Sequence, residues 1–241
     1  MKAPVNGYRY QWVLFDADHT LFDFDRSARA SIESTAKEFG IDKPLDYADY
    51  HEINMRCWEA YEKGEMDRDT LRYKRFQLFF EMKGVSADPV TFHDRYLEKL
   101  PHLPFLMDYA SDILGHLHGR VRMAIVTNGL PEVQRPRLEI ARLTHLFDVI
   151  QVAGEVGVAK PDRSYFDLLF EQMGNPDKQD VIIVGDSTTS DIKGGSDYGI
   201  DTCWFNPDGL ENRSGVRPTF EIRHLSELHH ILESENPIPP A

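Results

Sequence analysis

Apolar residues fall along this chain in two rhythms. In the first, short unbroken runs rich in β-branched residues, Trp12 to Phe15, Val121 to Val126, Val149 to Ala153 and Val181 to Val184, have the length of strands buried on both faces. Asp201 to Phe205 predicts a fifth strand, and Thr219 to Ile222 a weaker sixth at a sheet edge. Between the later runs the apolar positions recur at helical spacing. These helices are predicted over Pro131 to Arg142, over Asp162 to Met173 with Phe166, Leu169, Phe170 and Met173 on one face, and over Thr188 to Tyr198. Strand alternating with helix predicts an α/β fold, a parallel sheet with helices on both faces.

The second rhythm occupies residues 23–100, where no strand pattern occurs. Helix follows helix, each with a stop: Ser27 to Phe39 before Gly40, Asp46 to Lys63 before Gly64, Asp67 to Lys83 before Gly84, and Pro89 to Leu100 before Pro101. Tyr50, Ile53, Cys57, Trp58 and Tyr61 share one helical face that must be buried. The expected organisation is a discontinuous α/β core of residues 1–22 and 101–235, an inserted all-helical domain of 23–100, and a frayed proline-rich tail of 236–241. The aromatic stripe of Trp58, Tyr61, Phe76, Phe79 and Phe80 reads first as bundle core and second as a surface on which a flat ring could stack.

Composition narrows the partners. Of 241 residues 41% are hydrophobic and 28% charged, which excludes disordered and collagen-like classes. Lys and Arg total 27 against 40 for Asp and Glu, so the net charge of -13 argues against a nucleic-acid polymer as partner. Cys57 and Cys203 stand alone, outside any zinc or disulfide pattern, and predict a reducing cytoplasmic setting. Met1 to Tyr10 lacks the apolar stretch of a signal peptide, and no run approaches a membrane span.

In open parallel sheets ligands bind outside the carboxyl ends of the strands, and here each strand end is polar. The first run leads into Asp16-Ala17-Asp18-His19-Thr20, the second into Thr127-Asn128-Gly129, and the fourth into Gly185-Asp186-Ser187, with Asp191 following; Lys160-Pro161 precedes a helix. Four aspartates at one sheet edge, with little but Lys160 to offset them, cannot all ionise without a cation. A hard divalent ion such as Mg2+ with oxygen ligands resolves this and makes phosphoryl transfer the natural chemistry. Taken singly, each segment has a plainer meaning: a surface turn for the first and second, a solvated lysine for Lys160, a helix N-cap for Ser187 and a first-turn helix acid for Asp191. His19 sits beside two carboxylates already sufficient for acid–base work and is left outside the catalytic set.

The D-x-D-x-T of Asp16 to Thr20, the T-N-G at Thr127, Lys160 before Pro161, and the G-D-S-x-x-x-D of Gly185 to Asp191 together resemble the four motifs of the haloacid dehalogenase-like (HAD) phosphohydrolases, in order and spanning about residues 11–206. The helical insert resembles that superfamily's C1-type cap on a Rossmann-like core. Within the superfamily, the segment Asp16 to Asp25 and the stretch Glu155 to Pro161 are similar to bacterial pyrimidine 5'-nucleotidases. The resemblance implies Asp16 as nucleophile forming an aspartyl phosphate and Asp18 as general acid and then base. It implies Mg2+ held by Asp16, the Asp18 carbonyl and Asp186, with Asp191 acting through water or supporting the shell. Thr127, the Asn128 amide and Lys160 would hold phosphoryl oxygens, helped by the positive end of the helix near Pro131.

The expected substrate is a small phosphorylated metabolite, a nucleoside 5'-monophosphate with a pyrimidine base favoured, acted on by a monomer or homodimer with no membrane partner. Phe22 and Phe24, just after the first motif, are candidate substrate contacts, or else anchor a hinge by apolar packing. The alternatives are a phosphoglycolate or sugar-phosphate phosphatase, then a 2-haloacid dehalogenase, which needs neither metal nor an acid at Asp18, then a non-catalytic HAD-like binding protein.

Overall fold

A computed structural model describes residues 7–233. The expected tail of 236–241 and the first six residues of the expected core lie outside them. In chain order the elements are β1 (Trp12–Phe15), α1 (Phe24–Glu38), α2 (Tyr47–Glu62), α3 (Arg68–Lys83), α4 (Pro89–Lys99), α5 (Ala110–Leu117), β2 (Arg122–Thr127), α6 (Pro131–Ile140), β3 (Val149–Val152), α7 (Ala153–Val156), α8 (Arg163–Gln172), β4 (Val181–Gly185), a π-helical turn over Thr188–Ile192 running into α9 (Lys193–Tyr198), β5 (Asp201–Phe205), β6 (Phe220–Ile222) and α10 (Leu228–Leu232). The chain divides into two compact units: residues 7–23, 106–134 and 142–233 form one, and Phe24–Phe105 with Arg135–Ala141 the other.

The first unit is built on a six-stranded, all-parallel sheet in the order β3-β2-β1-β4-β5-β6. β1 lies at its centre because all four of its residues are apolar and can be covered on both faces; none is more than 2% exposed. On one face Trp12, Leu14, Val126, Val181 and Ile183 pack with Tyr165, Phe166, Leu169 and Phe170 of α8 and with Tyr198 of α9. Each such fully buried side chain contributes about 1.5–3 kcal/mol. Phe15 is in register with Ile125 of β2 and Val184 of β4, so the residues after all three strands emerge at one sheet edge. From β1 the chain builds outward through β2 and β3 on one side, then crosses back to place β4, β5 and β6 on the other, which makes the edge beside β1 a topological switch point.

The second unit contains four consecutive helices, three of them begun by the same device. Asp46, Asp67 and Asp88 are N-caps whose carboxylates accept from the backbone N–H of Ala48, Thr70 and Thr91. α3 stops at Gly84, which adopts a left-handed φ of 59°. Phe76, fully buried, is the hub of the interior, 5.1–5.2 Å between ring centroids from Tyr50, Phe92 and Tyr96. Phe79 and Phe80 are buried with it, whereas Trp58 and Tyr61 remain partly exposed and meet edge to face at 5.7 Å. The unit ends at Phe105, past the Pro101 stop read from the sequence. After α4 the chain turns through a 3-10 segment at Leu100–His102 with Leu100 and Pro101 buried, and Ser27 Oγ donates to the Leu103 carbonyl at 2.7 Å. Among the described residues no helix is long and apolar enough to cross a membrane.

Candidate active site

Three strand ends and one loop assemble the site. Asp16 follows β1 directly, with its backbone N–H donating to the Val184 carbonyl at 2.9 Å. Thr127 ends β2, and its Oγ1 accepts from the Gly129 N–H at 3.0 Å, fixing the turn after the strand. Asp186 follows β4, and its backbone carbonyl accepts from Trp204 Nε1 at 2.8 Å. Lys160 arrives from the loop between α7 and α8, where the Asn128 side chain clasps its backbone in both directions. Asn128 Nδ2 donates to the Lys160 carbonyl and the Lys160 N–H donates to Asn128 Oδ1, each at 2.9 Å. The Lys160–Pro161 peptide is cis.

Lys160 is the hub. Its side chain is 1% exposed, and Nζ donates to Asp16 Oδ1 at 2.7 Å, Asp191 Oδ1 at 2.6 Å and the Val126 carbonyl at 2.6 Å. All three donor positions of the ammonium are used. Asp191 is held from its other oxygen by the Ser187 N–H at 3.1 Å. The turn it sits in is π-helical: both Asp191 N and Ile192 N donate to the Ser187 carbonyl, at 3.0 and 3.1 Å. Gly185 makes room, since a Cβ there would lie 2.3 Å from the Asp191 carboxyl carbon.

Carboxylate oxygens of Asp16, Asp186 and Asp191 all lie within 4.8 Å of one another. Burial raises the Asp16 carboxyl, Lys160 pulls it back and Asp191 and Asp18 push it further, leaving it at about 7. Asp186, whose side chain keeps some contact with solvent, is raised well above the carboxylate range by desolvation and then by the charges of Asp16 and Asp191. For Lys160 burial favours the neutral amine, but Asp16 and Asp191 outweigh it and the ammonium is raised above its ordinary value. Three carboxylates thus face one ammonium, and Asp186 forms no ion pair among the described residues. An all-oxygen donor set with surplus negative charge suits a hard divalent cation such as Mg2+.

Asp18 stands apart from this cluster, and its Oδ2 accepts from Gln134 Nε2 at 2.6 Å. Phe22 is fully buried and Phe24 is 8% exposed, so both candidate substrate contacts are buried residues. His19 takes a left-handed backbone, with φ 59°, in the turn after β1. Two residues of the site, Gln134 and Trp204, carry no signal in the sequence. Gln134 is a neutral amide in the first turns of α6 and Trp204 lies in an apolar strand, so only the fold reveals that they touch Asp18 and Asp186.

Burying several carboxylates around one lysine works against folding, and such groups cluster where chemistry is done. On a parallel α/β sheet, at its switch point, this arrangement defines an enzyme. The chain belongs to the haloacid dehalogenase-like hydrolases, whose family model matches residues 10–199. It is 37% identical over 231 residues to the HAD-hydrolase YfnB of Bacillus subtilis (strain 168), covering 95% of this chain and 98% of that one. A crystal structure of YfnB, bound to magnesium and described as revealing interdomain movement, superposes with a TM-score of 0.87 over 92% of this chain and 98% of that one. The chain is also 33% identical to the pyrimidine 5'-nucleotidase YjjG of Escherichia coli (strain K12), over 93% of this chain and 98% of YjjG. To the pyrimidine 5'-nucleotidase PynA of Streptococcus pneumoniae (strain ATCC BAA-255 / R6) it is 31% identical, over 93% and 95%.

Proposed function

We propose that this hydrolase is a Mg2+-dependent phosphatase of nucleoside 5'-monophosphates, pyrimidine favoured, that works through an aspartyl phosphate on Asp16. The convergence of the Asp16, Asp186 and Asp191 carboxylates within 4.8 Å, tied by Lys160, carries the reading. The similarity to YjjG and PynA supports the substrate class, and the magnesium bound in the YfnB crystal supports the metal.

Asp16 and Asp186 would hold the ion, with the Asp18 carbonyl, and Asp191 would support the shell while anchoring Lys160. When bound, Mg2+ offsets phosphoryl charge and fixes the orientation of the ester. A carboxylate oxygen of Asp16 attacks phosphorus as the bond to the leaving ester oxygen breaks, and the Asp18 carboxyl gives that oxygen its proton. Asp18, now ionised, takes a proton from the water that attacks phosphorus next, which returns Asp16 and releases inorganic phosphate. Lys160, exchanging one of its three present acceptors for the phosphoryl group, and the Thr127–Asn128 turn would bind the equatorial phosphoryl oxygens, where charge is spread in the transition state.

The helical unit would serve as a cap that selects the leaving group and excludes water, in keeping with the interdomain movement described for YfnB. The two free, buried cysteines accord with a reducing, cytoplasmic setting.

The test is Asp16→Asn assayed with Mg2+ on a panel of nucleoside monophosphates, phosphoglycolate and sugar phosphates. Wild type should release phosphate fastest from pyrimidine nucleotides, and the variant should lose turnover while still binding phosphate. Wild-type turnover in Asp16→Asn, or undiminished wild-type activity in a chelator, would refute the mechanism; a preference for sugar phosphates would refute the substrate.

A further inference from the structure

Away from the switch-point edge, a second set of metal-competent side chains converges on the α5–α10 side of the sheet-bearing unit. Glu233 caps α10 four residues beyond His229, and its N–H donates to the His229 carbonyl at 3.0 Å, so the two side chains share one helix face. His116 reaches the same point from α5. Glu233 Oε1 lies 3.0 Å from His229 Nδ1 and 3.0 Å from His116 Nε2, and the three donor atoms are all within 4.8 Å of one another. The two imidazoles meet edge to face with centroids 4.4 Å apart.

We propose that His116, His229 and Glu233 form a second metal site, for a zinc-class divalent ion. In a tetrahedral site with ligands at about 2.0–2.2 Å, neighbouring donors stand about 3.3–3.6 Å apart, so Glu233 Oε1 need draw back from each imidazole nitrogen by only a few tenths of an ångström. Two imidazole nitrogens and one carboxylate oxygen select a borderline transition ion over Mg2+, and i,i+4 ligands on a helix with a third from elsewhere leave a fourth position for water. Beyond the ligands, Tyr109 Oη lies 3.3 Å from His229 Nε2 and orients that ring with Nδ1 inward. Tyr8 Oη lies 3.0 Å from His116 Nε2 and is the group that the incoming ion displaces. Arg120 is turned to the His116 carbonyl instead. The ligand side chains are 25–45% exposed, so an ion can enter from solvent. Tyr8 bridges to Glu233 and the Arg9 N–H donates to the Leu232 carbonyl at 2.8 Å, so an ion here would fasten both flanks of the described chain to α5.

The test is a Co2+ or Zn2+ titration of the full chain in saturating Mg2+, read by Co2+ visible absorption and by thermal unfolding. One further equivalent should bind and raise Tm. His116→Ala, His229→Ala and Glu233→Gln should each weaken it by more than about 100-fold, beyond the range of an outer-shell change. Hydrolysis should be unchanged in all three, and Asp186→Asn should retain the equivalent. Circular dichroism checks that each variant is folded, and Glu233→Gln, at an exposed position, gives the reading without removing a packed ring. Absence of the further equivalent in wild type overturns the proposal, as does an equivalent that survives His229→Ala and vanishes in Asp186→Asn.

Discussion

Replacing Lys160 with Met removes the one ammonium on which Asp16 and Asp191 both rest while keeping most of the side-chain volume. It leaves two carboxylate oxygens and the Val126 carbonyl without their donor in a site where Lys160 is 1% exposed. Breaking a buried pair this way costs about 3–5 kcal/mol, which for a chain of this size lowers Tm by roughly 6–20 °C. The penalty should depend on pH in a definite direction. In wild type the Asp16 carboxyl, raised to about 7 from an ordinary 3.8, keeps its proton in the folded state through a window where the unfolded chain has already lost it. Stability therefore falls as pH rises across that window. Without Lys160 the folded carboxyl is raised further, so the window extends upward and the gap between variant and wild type widens as pH rises above 7. Thermal unfolding of both proteins in a chelator, at about pH 5.5 and about pH 8.5, reads this directly. Added Mg2+ should recover part of the loss in the variant at the higher pH, because a cation bound to the folded state alone stabilises it. An equal Tm loss at both pH values, or none at either, would show that the buried charges are not held as described.

Gly185→Ala should lower Tm by a few degrees and cut turnover, because the new Cβ would lie 2.3 Å from the Asp191 carboxyl carbon; overpacking of this kind costs about 1–3 kcal/mol. Gln134→Ala removes the 2.6 Å donor to Asp18, and steady-state kinetics should show kcat down by about 10- to 100-fold with Tm little changed. In the helical unit burial, followed by the Arg75 and Arg72 charges, pushes the His93 imidazole down to about 3 from an ordinary 6.5. The unfolded chain therefore takes up this proton first on acidification, and stability drops as pH falls through about 6.5; His93→Leu should flatten that part of the Tm–pH curve.

The sheet is legible in the sequence because a parallel strand covered on both faces must be written as an unbroken apolar run, as Trp12–Phe15 and Val181–Gly185 are. The helix starts at Asp46, Asp67, Pro89 and Asp162 are legible in the sequence, and the structure shows a capping carboxylate at each, Asp88 capping the helix that opens at Pro89. α5 is not: Ala110–Leu117 is short, holds Gly115, and opens after Tyr109 in a left-handed conformation with no side-chain cap. Candidate site residues that carry charge, Asp16, Asp186, Asp191 and Lys160, stand out at strand ends and loop. The groups that orient them do not, because an amide such as Asn128 or Gln134 carries no charge pattern, and its partner is defined only once distant segments meet.

The segment from Gly185 to Tyr198 shows how backbone geometry departs from the single helix that its apolar spacing predicts. A regular start after Ser187 would bond the Ser187 carbonyl once; here Ile192 N adds an i→i+5 bond, and the extra residue in the turn rotates the rest of the helix by about 100°. Asp191 lies just before that rotation, 1% exposed and in contact with Lys160, while beyond it Gly194 and Gly195 come against the core. A Cβ at Gly194 would lie 2.7 Å from the Phe166 ring, and one at Gly195 would lie 2.6 Å from Ile183. The glycines at 185, 194 and 195 therefore each clear a close approach, of Asp191 to the end of β4, of Phe166 to α9 and of Ile183 to α9, and a carboxylate is held against a strand end. Restoring regular α-helix here would rotate Gly194 and Gly195 by about 100° from the faces they now present to Phe166 and Ile183, which places the packing behind the site in backbone geometry as much as in its charged residues.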